Sequence, residues 1–145
     1  MTSSGAIAFN QPIGEWDTSK FTSTVSMFHG ASAFNQPIGD WDTSSISWMD
    51  DMFSDASVFY QPVGDWDIGK ISTMKYMFTK ASVFNQNLCS WGKYHSFRHP
   101  HDFEHMFSGS GCPSQDLPYD HNGDASWSWY VSKDVCTATS PPTVS

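Results

Sequence analysis

The sequence is poor in leucine and in positive charge, and it has no long apolar run. Leucine occurs only at Leu88 and Leu117, and charged residues make up 15% of the chain, below the roughly 25% of typical soluble domains. Lys and Arg together number 7 against 15 for Asp and Glu, which gives a formal net charge of −8. That charge argues against nucleic acid and anionic membrane surfaces as partners. No stretch approaches the ~18 apolar residues of a membrane span.

The familiar sequence motifs of catalysis are missing as well. The chain contains no Gly-x-Ser-x-Gly, no phosphate-binding loop and no His-Glu-x-x-His. Cys89 and His95 are one alternative as a thiolate pair, but Cys89 stands where the repeats described below have glycine, which favours simple packing. We therefore expect neither an enzyme nor a cofactor.

Cysteine is also scarce, with three residues in all. Three cysteines are too few for a disulfide scaffold and too scattered for a zinc site, which needs closely paired ligands. The economical prediction is one disulfide between Cys112 and Cys136, and the alternative is three free thiols in a reducing compartment. The first residues, Met1-Thr-Ser-Ser-Gly, lack the features of a signal peptide, so we expect either that the protein is not secreted or that the sequence is a mature piece or a fragment.

What the chain does have is a repeat with a period of 25 residues. Three residue types recur in step with one another: Phe9, Phe34, Phe59 and Phe84; Gln11, Gln36, Gln61 and Gln86; Trp16, Trp41, Trp66 and Trp91. A fixed period of 20–50 residues is typical of solenoids and propellers, and 25 is too short for a propeller blade of about 40. The period suits one short strand, one turn and one short helix per coil.

The second half of each unit predicts the helix. Apolar residues fall at i, i+3, i+6, i+7 and i+10, a single stripe on a period near 3.6 residues: Ile46, Met49, Met52, Phe53 and Ala56, and then Ile71, Met74, Met77, Phe78 and Ala81. The first half predicts a very short strand that begins after the proline, at Ile-Gly-x-Trp, because proline lacks the N–H that a ladder needs. A turn follows at Trp-Asp-Thr-Ser, where the Asp accepts a hydrogen bond from the N–H two residues on.

The unit resembles that of a known family. Met-Phe-x-x-Ala-x-x-Phe-Asn-Gln-x-Ile-x-x-Trp-Asp-x-Ser-x-Ile-Ser-x-Met-x-x-Met-Phe is similar to the repeat of the BspA-like leucine-rich-repeat surface proteins, over roughly residues 1 to 109. The resemblance implies an α/β repeat fold, a leucine-rich-repeat-like right-handed solenoid with one very short parallel strand and one short helix per coil. It also implies an extracellular or surface-attached role in adhesion and protein interaction, with no catalytic residues.

The repeats divide the chain into two parts. Residues 1–109 are predicted to form about four coils, 6–30, 31–55, 56–80 and a degenerate 81–109 that contains a four-residue insertion after Trp91. Residues 110–145 are predicted to form a C-terminal cap, with Trp127 and Trp129 covering the last core layer, followed by a loose tail. The first coil has no such cap, so we expect either that the chain is a fragment of a longer solenoid, with an adjacent coil on this side, or that the first coil packs on a partner.

Two columns of equivalent residues are candidate binding sites. The carboxylates of Glu15, Asp17, Asp40, Asp42, Asp65 and Asp67 form a candidate calcium ladder, or instead satisfy turns and face solvent. The tryptophans Trp16, Trp41, Trp66 and Trp91 form a candidate stripe for carbohydrate or protein, or instead pack between coils, with each indole N–H on a glutamine side chain or a turn carbonyl.

A third candidate is the histidine cluster at the insertion. His99-x-His101-x3-His105, near His95, offers metal-ligating nitrogens, with Asp102 or Glu104 in support. The spacing fits no standard zinc signature, which favours a polar loop.

The sequence as a whole predicts a non-enzymatic interaction or adhesion module of a secreted or cell-surface protein, with a protein partner. The alternatives are a carbohydrate- or calcium-dependent adhesion module, and a structural subunit that docks through its first coil.

Overall fold

The computed structural model describes residues 7–88, 90–91, 94 and 100–112. Within these ranges the helical structure consists of the 3-10 helix Pro100–Phe103 and residues 90–91, which also have 3-10 conformation. Strand structure in the same part of the chain is limited to two isolated parallel bridges, Ser23 to Trp48 and Trp48 to Thr73. The described ranges also contain no helix long and apolar enough to cross a bilayer. The predicted α/β leucine-rich-repeat-like solenoid, with a helix and a strand in every coil, is therefore wrong.

The 25-residue units nevertheless stack on one another as layers of turns. We call residues 7–30 layer 1, 31–55 layer 2, 56–80 layer 3 and the described part of 81–112 layer 4. Backbone N–H groups of each layer donate to carbonyls of the next: those of Thr24, Ser26, Phe28 and Gly30 donate to Trp48, Asp50, Met52 and Ser54 over 2.8–2.9 Å. The same four bonds recur between layers 2 and 3 and between layers 3 and 4. Every bond in these rows runs in the same direction.

These rows explain why the segment that the sequence predicts as a helix is not one. An α-helix needs each N–H to reach the carbonyl four residues back, but here alternate N–H groups leave for the neighbouring layer. The N–H groups between them donate to the carbonyl three residues back and close β-turns. Examples are Met27 to Thr24 and His29 to Ser26, both 3.1 Å. The buried apolar stripe was predicted correctly, because turns repeated at this spacing bury the same positions as a helix would.

The turns require a left-handed backbone at two positions in every layer. The first position has φ of 53–57° and holds Ser26, Asp51, Tyr76 and His105; the second has φ of 57–70° and holds Gly30, Asp55, Lys80 and Gly109. L-residues adopt this region at a cost of about 1–2 kcal/mol, and Gly30 and Gly109 avoid that cost because glycine has no Cβ. Left-handed residues four apart also make a continuous right-handed helix impossible.

The strand prediction placed the inter-layer ladder in the wrong part of the unit. The Ile-Gly-x-Trp segment forms a local turn, with the Trp41 N–H donating to the Ile38 carbonyl over 3.2 Å. The bridges lie instead at Ser23, Trp48 and Thr73, where no proline removes an N–H. The predicted Asp turn that follows is confirmed, since the amides of Ser19, Ser44 and Gly69 donate to Asp17, Asp42 and Asp67.

Flat aromatic rings fill the space between the rows. Phe53 stacks on Phe59 of the next layer with ring centroids 4.0 Å apart, and Phe28–Phe34 and Phe78–Phe84 repeat this pair at 4.0 and 3.8 Å. The column formed by Phe34, Phe59 and Phe84 is spaced by 5.9 Å. All of these rings are buried, so phenylalanine and methionine provide the core that leucine usually provides.

The four-residue insertion predicted after Trp91 leaves the stack in register. The bond from the Tyr76 N–H to the Glu104 carbonyl spans 28 residues, whereas the equivalent bond from Asp51 to Lys75 spans 24. Both bonds are short, 2.9 and 2.8 Å. The predicted cap and tail beyond residue 112 lie outside the described residues, so that part of the domain division stays a prediction.

Two buried threonines give a test of the polar packing. Thr18 and Thr24 are each 2% exposed. The Thr18 hydroxyl donates to the Asp42 carbonyl over 3.1 Å, whereas the Thr24 hydroxyl has no partner in the described part of the chain.

Thr24→Val should raise the free energy of unfolding in urea by about 1 kcal/mol, because a buried hydroxyl without a partner is removed. Thr18→Val is the matched control and should lower it by about the same amount; equal effects of the two changes would contradict this account.

Candidate functional site

Each layer presents the same turn at one edge of the stack. The Ile13 carbonyl accepts the Trp16 N–H over 3.1 Å, and the equivalent bonds are 3.2 Å at Trp41 and Trp66. The apolar residue that begins the turn points into the core, as at Ile13 and Ile38, 2% and 1% exposed. The acidic residue between glycine and tryptophan faces solvent. One carboxylate from each of layers 1 to 3 therefore lines up at this edge, and Ser90 holds the position in layer 4.

Glycine is required in this turn because the layers approach closely beneath it. A Cβ built on Gly39 would lie 2.9 Å from the Pro62 carbonyl oxygen, and one on Gly14 would lie 2.7 Å from that of Pro37. Real Cβ atoms essentially never come within 3.0 Å of such an atom. Any side chain would push the layers apart, so glycine provides a bare backbone floor above which a cleft can form.

Two clefts occupy this edge and overlap to form one groove, which we call the layered groove. The first has a volume of about 530 Å³ and is lined by Gly14, Glu15, Trp16, Pro37, Gly39, Asp40, Gln61 and Pro62. The second has a volume of about 470 Å³ and is lined by Gly39, Asp40, Pro62, Gly64, Asp65, Gln86, Asn87 and Ser90. Gly39, Asp40 and Pro62 line both clefts, and the described lining residues include no Lys or Arg.

Gln61 of the groove belongs to an amide ladder that also includes Gln36, outside the groove, and Gln86 of the groove donates to the Tyr60 carbonyl over 3.1 Å. The Gln36 Nε2 donates to the Asn10 carbonyl and side-chain oxygens over 3.1 and 2.9 Å, and Gln61 contacts Asn35 in the same way. The side-chain oxygens of Asn10 and Asn35 also accept the backbone N–H of the next layer, over 3.0 and 2.8 Å. These bonds set the orientation of the amides, so this wall of the groove is preformed.

The six carboxylates of the predicted calcium ladder fall into two groups. The Oδ1 of Asp17 accepts the Ser19 hydroxyl and amide over 2.6 and 3.1 Å, and Asp42 does the same with Ser44 over 2.6 and 3.0 Å. Asp67 accepts the Gly69 amide over 2.8 Å. These three aspartates are engaged in turns. The other three, Glu15, Asp40 and Asp65, line the groove.

The described residues bring no three His, Cys, Asp or Glu side chains together around a point that could hold a metal ion. The three groove carboxylates also make no hydrogen bond or ion pair with any other described residue. By contrast, Asp50 accepts the Thr73 hydroxyl over 2.6 Å, and Asp51 and Asp55 lie 3.9 and 4.0 Å from His29 and Lys80. Glu15, Asp40 and Asp65 are thus the acids whose charge remains available to a partner.

The tryptophan column faces inward over most of its length. Trp41, Trp66 and Trp91 are 4%, 1% and 0% exposed, and each indole N–H donates to a turn carbonyl 28 residues earlier, over 3.0–3.2 Å. Trp16 differs because it is 50% exposed, although it stacks on Trp41 with centroids 6.3 Å apart. Of the four predicted stripe residues, the structure leaves Trp16 accessible to a ligand.

The remaining predicted sites are only partly covered by the structure. Cys112 is disulfide-bonded, and its predicted partner Cys136 lies outside the described residues, as do Cys89, His95 and His99. The exposed His105 stacks on Tyr76 at 5.5 Å and lies 3.7 Å from Glu104. The groove itself was missed by sequence reasoning, although the column of glycines at 14, 39 and 64 was the available signal.

The Asp turns predict a particular dependence of stability on pH. Hydrogen bonds from the side chain and the amide of Ser19 hold the pKa of Asp17 below its ordinary value of 3.8, and Ser44 lowers the pKa of Asp42 in the same way. A lowered folded pKa gives stabilisation that is complete above 3.8 and is lost as the pH falls through the folded pKa. Burial raises the pKa of Asp51. The contribution of Asp51 to stability therefore increases, rather than decreases, as the pH falls.

We therefore expect a double variant, Asp17→Asn with Asp42→Asn, to be less stable than wild type at neutral pH and to lose less stability on acidification. Urea unfolding at a series of pH values from neutral to acid measures both effects. Asp40→Asn with Asp65→Asn has the same change of charge and keeps both turns, so it should follow the wild-type slope. Identical slopes for all three proteins would refute the role of the turns.

Comparison with known proteins places the chain in a family. No curated protein and no solved structure matches it. A family model described as "Mycoplasma protein of unknown function, DUF285" matches residues 1–119. The match includes all four layers and therefore the groove, the tryptophan column and the rows of inter-layer bonds. The chain belongs to this DUF285 family of Mycoplasma proteins.

Proposed function

We propose that the chain is a non-enzymatic interaction module of a secreted or cell-surface protein, and that it binds a basic, extended segment of a partner protein in the layered groove. The observation that carries this proposal is the set of three carboxylates, one from each of three successive layers, that have no partner among the described residues and line a groove whose described residues include no Lys or Arg. Opposite charges on a partner would be steered to such a face and held there.

The construction of the groove also favours binding over chemistry. Its floor is backbone, hydrogen bonds hold Gln61 and Gln86, and a carboxylate recurs at the same position in layers 1 to 3. Catalysis needs one unique constellation of residues, whereas repetition spreads affinity over several equivalent contacts. A rigid surface also loses little conformational entropy when it binds.

Two further observations support a location outside the cell. Cys112 is disulfide-bonded, and disulfides persist mainly in oxidising compartments. The repeat resembles that of the BspA-like surface proteins, whose roles lie in adhesion. The disulfide lies outside the groove, so it supports the proposed location independently of the proposed binding face.

Binding to a lysine homopeptide tests the groove. The triple variant Glu15→Gln, Asp40→Asn, Asp65→Asn should weaken the affinity measured by calorimetry by about tenfold, since three exposed charge pairs contribute about 1–2 kcal/mol in total. The wild-type affinity should also fall with added salt. The control Asp51→Asn, Asp55→Asn, Glu104→Gln removes the same charge from residues that do not line the groove. Equal weakening by the two triple variants would indicate general attraction and overturn the proposal.

Carbohydrate is a second candidate because of Trp16. Its half-exposed ring lies at the end of the groove beside Glu15, with Asp40 and Gln61 in the same cleft. An aromatic face next to carboxylate and amide groups is the composition that sugar rings and their hydroxyls require. The buried tryptophans of the column take no part in this alternative.

A glycan array probed with the labelled protein tests the second candidate. Trp16→Ala should abolish any glycan signal, whereas Trp16→Phe should keep part of it because a stacking face remains. Tyr76→Ala removes an aromatic residue that is 36% exposed and does not line the groove, and it should leave the signal unchanged. An array without signal for the wild-type protein would rule the carbohydrate reading out.

A further inference from the structure

The layers are spaced more widely at the groove than in the core. In the ring column that begins with Phe28, centroids are 5.5 and 5.6 Å apart, and in the column that begins with Phe34 they are 5.9 Å apart. Trp16, Trp41 and Trp66, in the column beside the groove, are spaced by 6.3 and 6.4 Å. Because adjacent rings of this column lie within 7° of parallel, their spacing measures the displacement from one layer to the next at this edge. The layers therefore diverge toward the groove.

The acids of the groove share this spacing, because each one directly precedes a tryptophan of the column. Glu15, Asp40 and Asp65 thus repeat with the 6.3–6.4 Å displacement of that column. In layer 4 the same position holds Ser90, which donates its hydroxyl proton to the Gly64 carbonyl. The charged part of the described groove therefore covers three layers and matches three cations in a row.

A second set of acceptors lies in the groove beside the acids. Gln61 lines the first cleft and Gln86 the second. Each glutamine donates through its Nε2 within the stack, to Asn35 and to the Tyr60 carbonyl respectively, but its side-chain oxygen accepts no hydrogen bond from any residue that the structure describes. Gln86 is only 9% exposed, and polar atoms on side chains so buried are normally paired. These two oxygens are therefore available to N–H donors of a ligand in the groove.

An extended strand that lies along the stack fits both sets of acceptors. Its residues rise by about 3.3 Å each and alternate between its two faces, so side chains on one face repeat about every 6.6 Å. The N–H groups on one side of a strand also repeat at every second residue. This period lies within about 0.3 Å of the layer spacing at the groove. The flexible side chain of a lysine or arginine absorbs such a mismatch over three layers.

Other regular backbones do not fit both sets. In polyproline II the side chains on one face repeat every third residue, about 9.3 Å apart, which matches neither one layer nor two. An α-helix donates its N–H groups to its own carbonyls, so it has none for Gln61 and Gln86. The acceptors of the groove therefore select a single extended strand.

We infer that the groove binds an extended segment in which every second residue is basic, three times in succession, with N–H groups on one side of the segment donating to Gln61 and Gln86. This inference rests on the proposed function and names the partner that the groove takes. The basic residues at i, i+2 and i+4 face Glu15, Asp40 and Asp65, and the residues between them face away. Spacing as well as charge then defines the partner, because spacing decides how many of its cations reach the acids.

Two peptides of equal composition test the spacing, with the full chain as the receptor. Thr-Lys-Thr-Lys-Thr-Lys-Thr has its three lysines on one face of a strand, whereas Thr-Thr-Lys-Lys-Lys-Thr-Thr has two on one face and one on the other. By calorimetry the alternating peptide should bind about threefold more tightly, since the contiguous peptide loses one exposed charge pair. The difference should vanish for the triple variant Glu15→Gln, Asp40→Asn, Asp65→Asn.

The central lysine tests the register. Asp40→Asn should weaken binding of the alternating peptide by about threefold. It should leave unchanged the binding of Thr-Lys-Thr-Thr-Thr-Lys-Thr, which has no cation opposite Asp40. Asp51→Asn removes the same charge from a residue that does not line the groove, and it should affect neither peptide.

The outcomes separate this inference from the proposed function. If both three-lysine peptides bind the wild-type protein equally and the triple variant weakens both, the groove binds basic segments without regard to spacing and the inference is wrong. If the triple variant weakens neither peptide, the groove is not the binding face and both proposals fail. An equal effect of Asp40→Asn on the peptides with and without the central lysine would also contradict the inference.

Discussion

The rest of the structure depends on the one-way rows of backbone hydrogen bonds between layers. They fix the distance between layers, and that distance makes glycine obligatory at Gly14 and Gly39 and lets flat rings stack in columns. They also use the N–H groups that a helix would need, so the chain turns repeatedly instead of coiling. Aromatic columns supply much of the core, beside one aliphatic column formed by Ile13, Ile38, Val63 and Leu88.

The period, the buried stripe and the Asp turns could be predicted from the sequence, because each depends on spacing alone. The helix could not be excluded in this way. A helix and the observed turns would both bury Met49, Met52, Phe53 and Ala56. The two backbones differ at Asp51 and Asp55, which have positive φ, and the apolar pattern carries no sign of that. In layer 1 the glycine at position 30 is a weak sign of it. The strand was misplaced because proline was taken to interrupt a ladder that runs elsewhere in the unit.

For the candidate site, too, the sequence predicts which residues are equivalent but not which way their side chains face. Columns of acids and tryptophans are visible in the sequence, but their roles depend on direction. Neighbouring acids of one unit have different roles: Asp42 accepts a hydrogen bond within a turn, whereas Asp40 lines the groove. The indoles of Trp41, Trp66 and Trp91 are buried and donate to the preceding layer, whereas Trp16 is half-exposed. Position in the stack, which no single repeat encodes, separates a core residue from a surface residue.

The four-residue insertion after Trp91 has a consequence for how such a chain can change. Trp91 before the insertion and Glu104 after it make the bonds expected of their columns, so the length of this corner is independent of the rest of the layer. New sequence can enter at one corner of one layer while the neighbouring layers stay aligned. The corner is therefore the natural grafting point of the unit, where evolution or an engineer can add a loop of new specificity to an unchanged scaffold.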